Sequence, residues 1–250
     1  MNESNGSDKP TIVLVHGAFA DAAGWNGVIE LLQARGFKVV APPNPLRGIS
    51  IDTAYIASLF EQIPGPVLAV GHSYGGAVIT NAAAKAANVV GLVYVAGFAP
   101  DEGEILQQVE QGSKDSVLNT VLLPLKYPTG RGAEMAVEFA IDPARFHDSF
   151  AADVTVEQAA VLAAGQRPVA ELAFTERTAA AAWKTLPSWA VIATGDRAAG
   201  SDIVRAMAKR AGATITEVAG SHVIMISQPQ AVADVILAAV AAVSAAQPRA

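Results

Sequence analysis

The sequence predicts an α/β fold, a mainly parallel sheet with helices on both faces, interrupted by a helical insertion. Three observations predict it. Short β-branched runs alternate with helical stretches of about a dozen residues, the rhythm of βαβ units. The runs are continuously apolar, as in buried strands. The rhythm breaks after Pro100 and resumes at Ser188. Right-handed crossovers then distribute the helices over both faces.

Each element follows in order. TIVLV at 11–15 is the first strand. Trp25–Arg35 has helical spacing through Val28, Leu31 and Leu32, and Gly36 suits a C-cap. FKVVAP at 37–42 is a second strand, stopped by Pro42-Pro43. Ile51–Gln62 is helical, and PGP at 64–66 ends it. VLAV at 67–70 is a third strand, followed by GHSYGG and a helix through Ala87. VVGLVYVAGFAP at 89–100 supplies a fourth. Residues 101–185 hold no comparable β-branched run, only the helix-like pieces EILQQVEQ, AEMAVEFAI, ARFHDSFAAD and VEQAAVLAAG. SWAVIATGD at 188–196 resumes the sheet, followed by a helix from Ser201 to Ala211 and the strand ATITEVAG. A last helix runs from Pro229 to about Ala246. The expected organisation is a tail at 1–10, a core formed by 11–100 and 186–250, and a helical cap at 101–185.

Composition bounds the function. The chain is 52% hydrophobic and 16% charged, apolar for a soluble protein but not membrane-like. The longest apolar stretch, Ala231–Ala246, is alanine-rich, short and broken by Asp234, so no spanning helix is expected. The N-terminus MNESNGSDKP lacks the apolar stretch of a signal peptide. Together these predict a cytoplasmic protein without a membrane partner. Seventeen basic and 23 acidic residues give a net charge of −6 with no Lys/Arg cluster, which argues against nucleic acid. The absence of cysteine excludes disulfides, a thiolate nucleophile and Cys-ligated metal. Neither a metal nor a cofactor is expected, and the chain is expected to be a monomer or homodimer.

Gly71-His72-Ser73-Tyr74-Gly75 matches G-x-S-x-G between the strand VLAV and the helix AVITNAAAKA. That setting is what a nucleophile elbow requires: a sharp turn lifts the Ser73 hydroxyl above the sheet, over a helix N-terminus with free N–H groups. Ser73 is therefore the candidate nucleophile.

LVHGAF, GHSYGGAVI, LVYVAGFAPDEGE, ATGDRA and GSHVIMISQP together resemble the α/β-hydrolase superfamily. They are most similar to its small bacterial esterase-like branch, related to plant methylesterases and hydroxynitrile lyases. The resemblance runs from Thr11 to about Ala242 and is weakest across 104–182. It implies the α/β-hydrolase fold and a Ser-Asp/Glu-His set in that chain order.

Four histidines are present. His222, after the last strand, takes the position of the base that the resemblance implies. His16 and His72 are expected to be structural, bonding loop backbone near the site; His147 is left unassigned. The acid that orients the base is Asp196 by family placement, at the end of SWAVIATGD, with Asp101 as the alternative after the strand LVYVAGFAP. Asp202 reads as a first-turn acid of the next helix. The resemblance also implies an oxyanion hole from the backbone N–H groups of Ala18 and Tyr74.

The cap is expected to roof an apolar pocket. Phe19, Phe98, Phe146 and Trp183 are its chosen lining residues, with Phe139, Phe150 and Phe174 as further candidates. No Lys or Arg marks it for a charged substrate, so the expected partner is a small or medium uncharged ester. The leading expectation is a carboxylesterase working through a Ser73 acyl-enzyme. Similar hydroxynitrile lyases carry a lysine after the base and a threonine near the first strand, where this chain has Val223 and Gly17. Cofactor-free oxygenase or perhydrolase activity reuses the same set, and a small-molecule receptor with little turnover is a further alternative. Ser73 does not fit the aspartate-nucleophile dehalogenases and epoxide hydrolases of this fold.

Overall fold

The core strands are apolar at almost every position because both faces of each are covered. In the computed structural model, which describes residues 9–246, the chain runs β1 (Thr11–Val15), α1 (Asn26–Gln33), β2 (Val39–Val40), α2 (Ile49–Gln62), β3 (Val67–His72), α3 (Tyr74–Ala82) and β4 (Val89–Val95). It continues through α4 (Leu106–Glu110), β5 (Leu122–Pro128), β6 (Met135–Ile141), α5 (Pro143–Phe150), α6 (Val156–Gly165), β7 (Val169–Ala170) and α7 (Leu172–Thr175). It closes with β8 (Ser188–Ala193), α8 (Ser201–Arg210), β9 (Thr214–Val218), α9 (Ile224–Ser227) and α10 (Pro229–Ala246). Residues 1–8 of the expected tail lie outside the described residues.

Six strands form one parallel sheet in the order β2-β1-β3-β4-β8-β9. The alternation of side chains along each strand divides the core in two. Ile12, Leu14, Leu68, Val70, Val93 and Val191 face α1 and α10. Val13, Val15, Ala69, Leu92, Tyr94 and Ile192 belong to the opposite core, with α2, α3 and α8. α10 is long and apolar enough to cross a membrane by length and composition, yet it packs on β4, β8 and α1 through Val232, Ile236, Ala239 and Val243. Its apolar residues are those of a core helix.

The order reverses direction at β1: β2 lies on one side of it and β3 on the other. A crevice forms at such a switch point, outside the carboxyl ends of the strands. Val15 of β1 pairs with Gly71 of β3, so the loops that carry Ala18 and Ser73 leave the sheet side by side.

Between β4 and β8 the chain forms helices α4 to α7 and a second, antiparallel sheet, β5-β6-β7. This corrects the reading of AEMAVEFAI as helix. Met135, Val137, Phe139 and Ile141 recur every second residue, and β6 pairs with β5 along its whole length. Tertiary pairing outweighs the helix propensity of alanine, glutamate and methionine here. The helices at 143–150 and 156–165 form as expected, capped by Asp142 and by a Thr155–Gln158 capping box.

Candidate active site

Ser73 follows β3 and caps α3 with φ 53° and ψ −125°, in the left-handed half of backbone space. Several bonds hold the turn: its N–H donates to Val95 O, and its carbonyl accepts from the Gly76 and Phe98 N–H groups. The glycines around it are steric requirements. A Cβ on Gly17 would lie 2.6 Å from Ser73 Cβ, and one on Gly75 would lie 2.4 Å from the Val15 carbonyl oxygen. Only hydrogen at these positions lets the β1 loop and the elbow touch.

His222 and Asp196 meet although 26 residues separate them, with Nδ1 of the histidine 2.8 Å from Oδ2 of the aspartate. Both side chains are almost fully buried. The other aspartate oxygen, Oδ1, accepts the N–H groups of Ala198 and Ala199 at 2.9 and 3.0 Å. Both oxygens of the aspartate are thus occupied as acceptors. That carboxylate fixes the proton on His222 Nδ1 and leaves Nε2 as an acceptor. The imidazole is packed between His72 and Phe150, with ring centroids 4.6 and 4.8 Å away.

Ser73 and His222 line one narrow cavity together with Ala18, Phe19, Tyr74 and Phe98. Among the described residues, neither the Ala18 nor the Tyr74 N–H has a hydrogen-bond acceptor. Phe150 and Phe174 complete the aromatic wall. Phe146 does not line it; its ring is tilted against Phe150 with centroids 4.9 Å apart, and it lines a neighbouring apolar cavity. Phe139 lines an adjoining cavity instead.

Two candidates lie away from the serine and histidine: the pocket candidate Trp183 and Asp101, the alternative acid. Trp183 does not line the serine's cavity: its Nε1 donates to Pro100 O at 2.9 Å, and Lys184 and Arg210 lie over its ring. As an indole needs a partner for its N–H, this surface seat satisfies it. Asp101 is not brought to His222. It is paired with Lys184, whose hydrogen bond holds the carboxyl below its ordinary range.

The remaining histidines are accounted for by backbone contacts. His16 Nε2 accepts the Asn44 N–H at 2.9 Å while its Nδ1 donates to Gly17 O, and burial lowers its pKa to about 4. His72 Nε2 donates to the His222 carbonyl at 2.9 Å, and burial holds it well below the ordinary histidine value. Both imidazoles are neutral braces beneath the site. His147 bonds Val154 O from α5, with Asp148 raising its pKa. Asp202 sits in the first turn of α8, where its carboxylate accepts from Ser113 and Lys114.

Sequence reasoning missed two acids. Asp52 in α2 is fully buried, accepts the Tyr74 hydroxyl at 2.8 Å and the Arg47 N–H at 3.0 Å, and is pushed above its ordinary pKa by burial. Asp153, between α5 and α6, accepts both the backbone N–H and the hydroxyl of Ser221, the neighbour of His222. An acid four residues into a helix start, or in a loop, gave no local signal of either role.

The curated relatives that the chain matches include a pyrethroid hydrolase of Sphingobium wenxiniae, 27% identical over 147 residues, which are 52% of this chain and 50% of that protein. A carbendazim hydrolyzing esterase of a Nocardioides species is 31% identical over 107 residues, 38% of this chain and 44% of that one. The chain thus spans about half the length of the curated relatives it matches. The crystal structure of polyneuridine aldehyde esterase superposes with a TM-score of 0.77 at 20% identity, covering 92% of this chain and 99% of that one. That likeness is one of fold. A family profile described as the alpha/beta hydrolase family matches residues 12–235, most of the chain, and the chain belongs to that family.

Proposed function

We propose that the protein is a serine hydrolase, a carboxylesterase that acts on small or medium uncharged esters. The observation that carries this reading is the buried His222–Asp196 hydrogen bond of 2.8 Å, with Ser73 on the wall of the same cavity. Esterase and hydrolase names among the relatives support it.

His222 Nε2 takes the Ser73 proton as Oγ attacks the ester carbonyl. The negative charge on the carbonyl oxygen is received by the Ala18 and Tyr74 N–H groups, a contribution of about 3–4 kcal/mol for each well-placed donor. The tetrahedral intermediate collapses to the Ser73 acyl ester, and the alcohol leaves with the proton from His222. Water, deprotonated by the same imidazole, then releases the acid and restores the serine. Residues 101–185 serve as the cap in this reading, contributing Phe150 and Phe174 to the cavity.

A hydroxynitrile lyase is the weaker reading. Val223 follows His222, is 1% exposed and offers cyanide no cation. A cytoplasmic location and a monomeric or dimeric state belong to the same proposal. The test is labelling with a fluorophosphonate and turnover of p-nitrophenyl esters. The expected result is labelling of wild type only, with turnover abolished in Ser73→Ala. Unlabelled wild type with no Ser73-dependent turnover overturns the reading.

A further inference from the structure

The serine's cavity contains one acid for which the ester chemistry has no use. Glu110 ends α4, is 7% exposed, and lines both this cavity and an adjoining one. Leu118 and Phe174 are shared by the same two cavities, so Glu110 stands on the partition between them.

Proton bookkeeping gives its state. Ser116 Oγ lies 2.9 Å from Glu110 Oε1 and 2.6 Å from the Ala198 carbonyl oxygen. A hydroxyl has one proton to donate. The carbonyl cannot supply another, so the shorter contact takes the serine's. The contact to Glu110 is then satisfied when the carboxyl keeps its own proton and donates it to Ser116 Oγ, while Oε1 also accepts from Asn119 Nδ2 at 3.3 Å. Burial acts in the same direction, raising the Glu110 pKa against the hydrogen bond with Ser116. The neutral acid retains Oε2 as a carbonyl-type acceptor, and among the described residues no protein donor reaches that atom. A ligand that supplies a donor there gives the acceptor a partner.

The geometry points to Glu110 as a specificity-determining residue that accepts a hydrogen bond from a hydroxyl or amide N–H on an otherwise apolar ester. The substrate class is therefore narrower than apolar esters at large: the ester carries an uncharged donor remote from the scissile carbonyl. This rests on the serine-hydrolase reading.

Matched pairs of esters test it: methyl hydrocinnamate against its para-hydroxy analogue, and methyl hexanoate against its terminal-hydroxy analogue. The readout is the ratio of kcat/KM within each pair, alongside fluorophosphonate labelling of Ser73. Wild type is expected to favour the hydroxylated member of at least one pair by about tenfold, the worth of one good hydrogen bond. Glu110→Gln keeps the preference, because an amide donates to Ser116 and accepts from substrate as the neutral acid does. Glu110→Met brings the ratio toward one. A purely structural role for Glu110 would change both members of a pair alike. Equal kcat/KM in both wild-type pairs overturns the inference even if Glu110→Met does not fold. So does a preference that Glu110→Met leaves intact. In either case labelling and turnover stand, whereas an unlabelled Ser73 without ester turnover removes the hydrolase reading itself.

Discussion

Ser73 holds a backbone conformation that costs an L-residue about 1–3 kcal/mol, and the elbow's hydrogen bonds to Val95, Gly76 and Phe98 keep it there. The imidazole opposite is positioned just as firmly, but by an acid whose identity the sequence left between two residues. The structure gives them opposite settings: Asp196 is buried against His222, while Asp101 pairs with Lys184 at the surface. In Asp196→Asn the amide nitrogen can donate to Nδ1, which then loses its proton to Nε2, the atom that acts as base in the proposed mechanism. A loss of about ten-thousand-fold in kcat is expected from such a tautomer error. Asp101→Asn should change kcat less than about twofold, since it breaks only an exposed pair. Steady-state kinetics of both variants decide the matter, and a larger loss at Asp101 would sink the assignment. Ser73, His222, Ala18 and Tyr74 stood out as candidates because each lies in a short motif at a strand end. Asp52 and Asp153 gave no such signal, because their partners are distant in sequence: Asp52 meets Tyr74 across 22 residues and Asp153 meets Ser221 across 68.

At the scale of elements, the turn between α5 and α6 is tied to the loop that carries His222. Asp153 takes two hydrogen bonds from Ser221, and those bonds hold its carboxyl below the ordinary range despite partial burial. The loop fits closely around this acid: a Cβ on Gly220 would come within 2.6 Å of Asp153 Oδ2. Asp153 touches no reacting atom, so it acts by positioning the histidine loop. Asp153→Ala is expected to lower kcat about tenfold with KM nearly unchanged, and to slow fluorophosphonate labelling of Ser73, with Asp153→Asn recovering part of both. If Asp153→Ala lost stability but labelled Ser73 at the wild-type rate, the contact would be structural only. The same stretch of chain shows where sequence patterning failed. The parallel strands announced themselves as β-branched runs such as TIVLV, because burial on both faces demands apolar residues throughout. β5 is mostly exposed and contains Pro124 and Pro128, while β6 is half-buried along most of its length and carries alanine, glutamate and methionine, which favour helix. Its two-residue period was visible, but propensity hid it.

At the scale of the whole molecule, the buried neutral histidines link stability to pH. His16 bridges the β1 loop to Asn44 and is fully buried, with its pKa lowered to about 4 by desolvation. The unfolded chain binds a proton at His16 near pH 6.5, and the folded chain does not until about pH 4. Stability contributed by this group is therefore present above about pH 6.5 and lost as pH falls toward 4. Roughly 3 kcal/mol is at stake by pH 4, since each tenfold difference in proton affinity is worth about 1.4 kcal/mol. His72 acts in the same direction. Asp52 and Glu110 act in the opposite one, because burial makes them bind protons more readily in the folded state. Total stability mixes these contributions, so the His16 share has to be read as a difference. His16→Gln keeps a donor and an acceptor in the same seat but cannot titrate. Urea unfolding of both proteins from about pH 7 down to about pH 4 is expected to show the wild-type curve falling relative to the variant by roughly 3 kcal/mol. Parallel curves would mean that His16 is protonated alike in both states, and that the brace beneath the oxyanion loop is not the source of acid sensitivity.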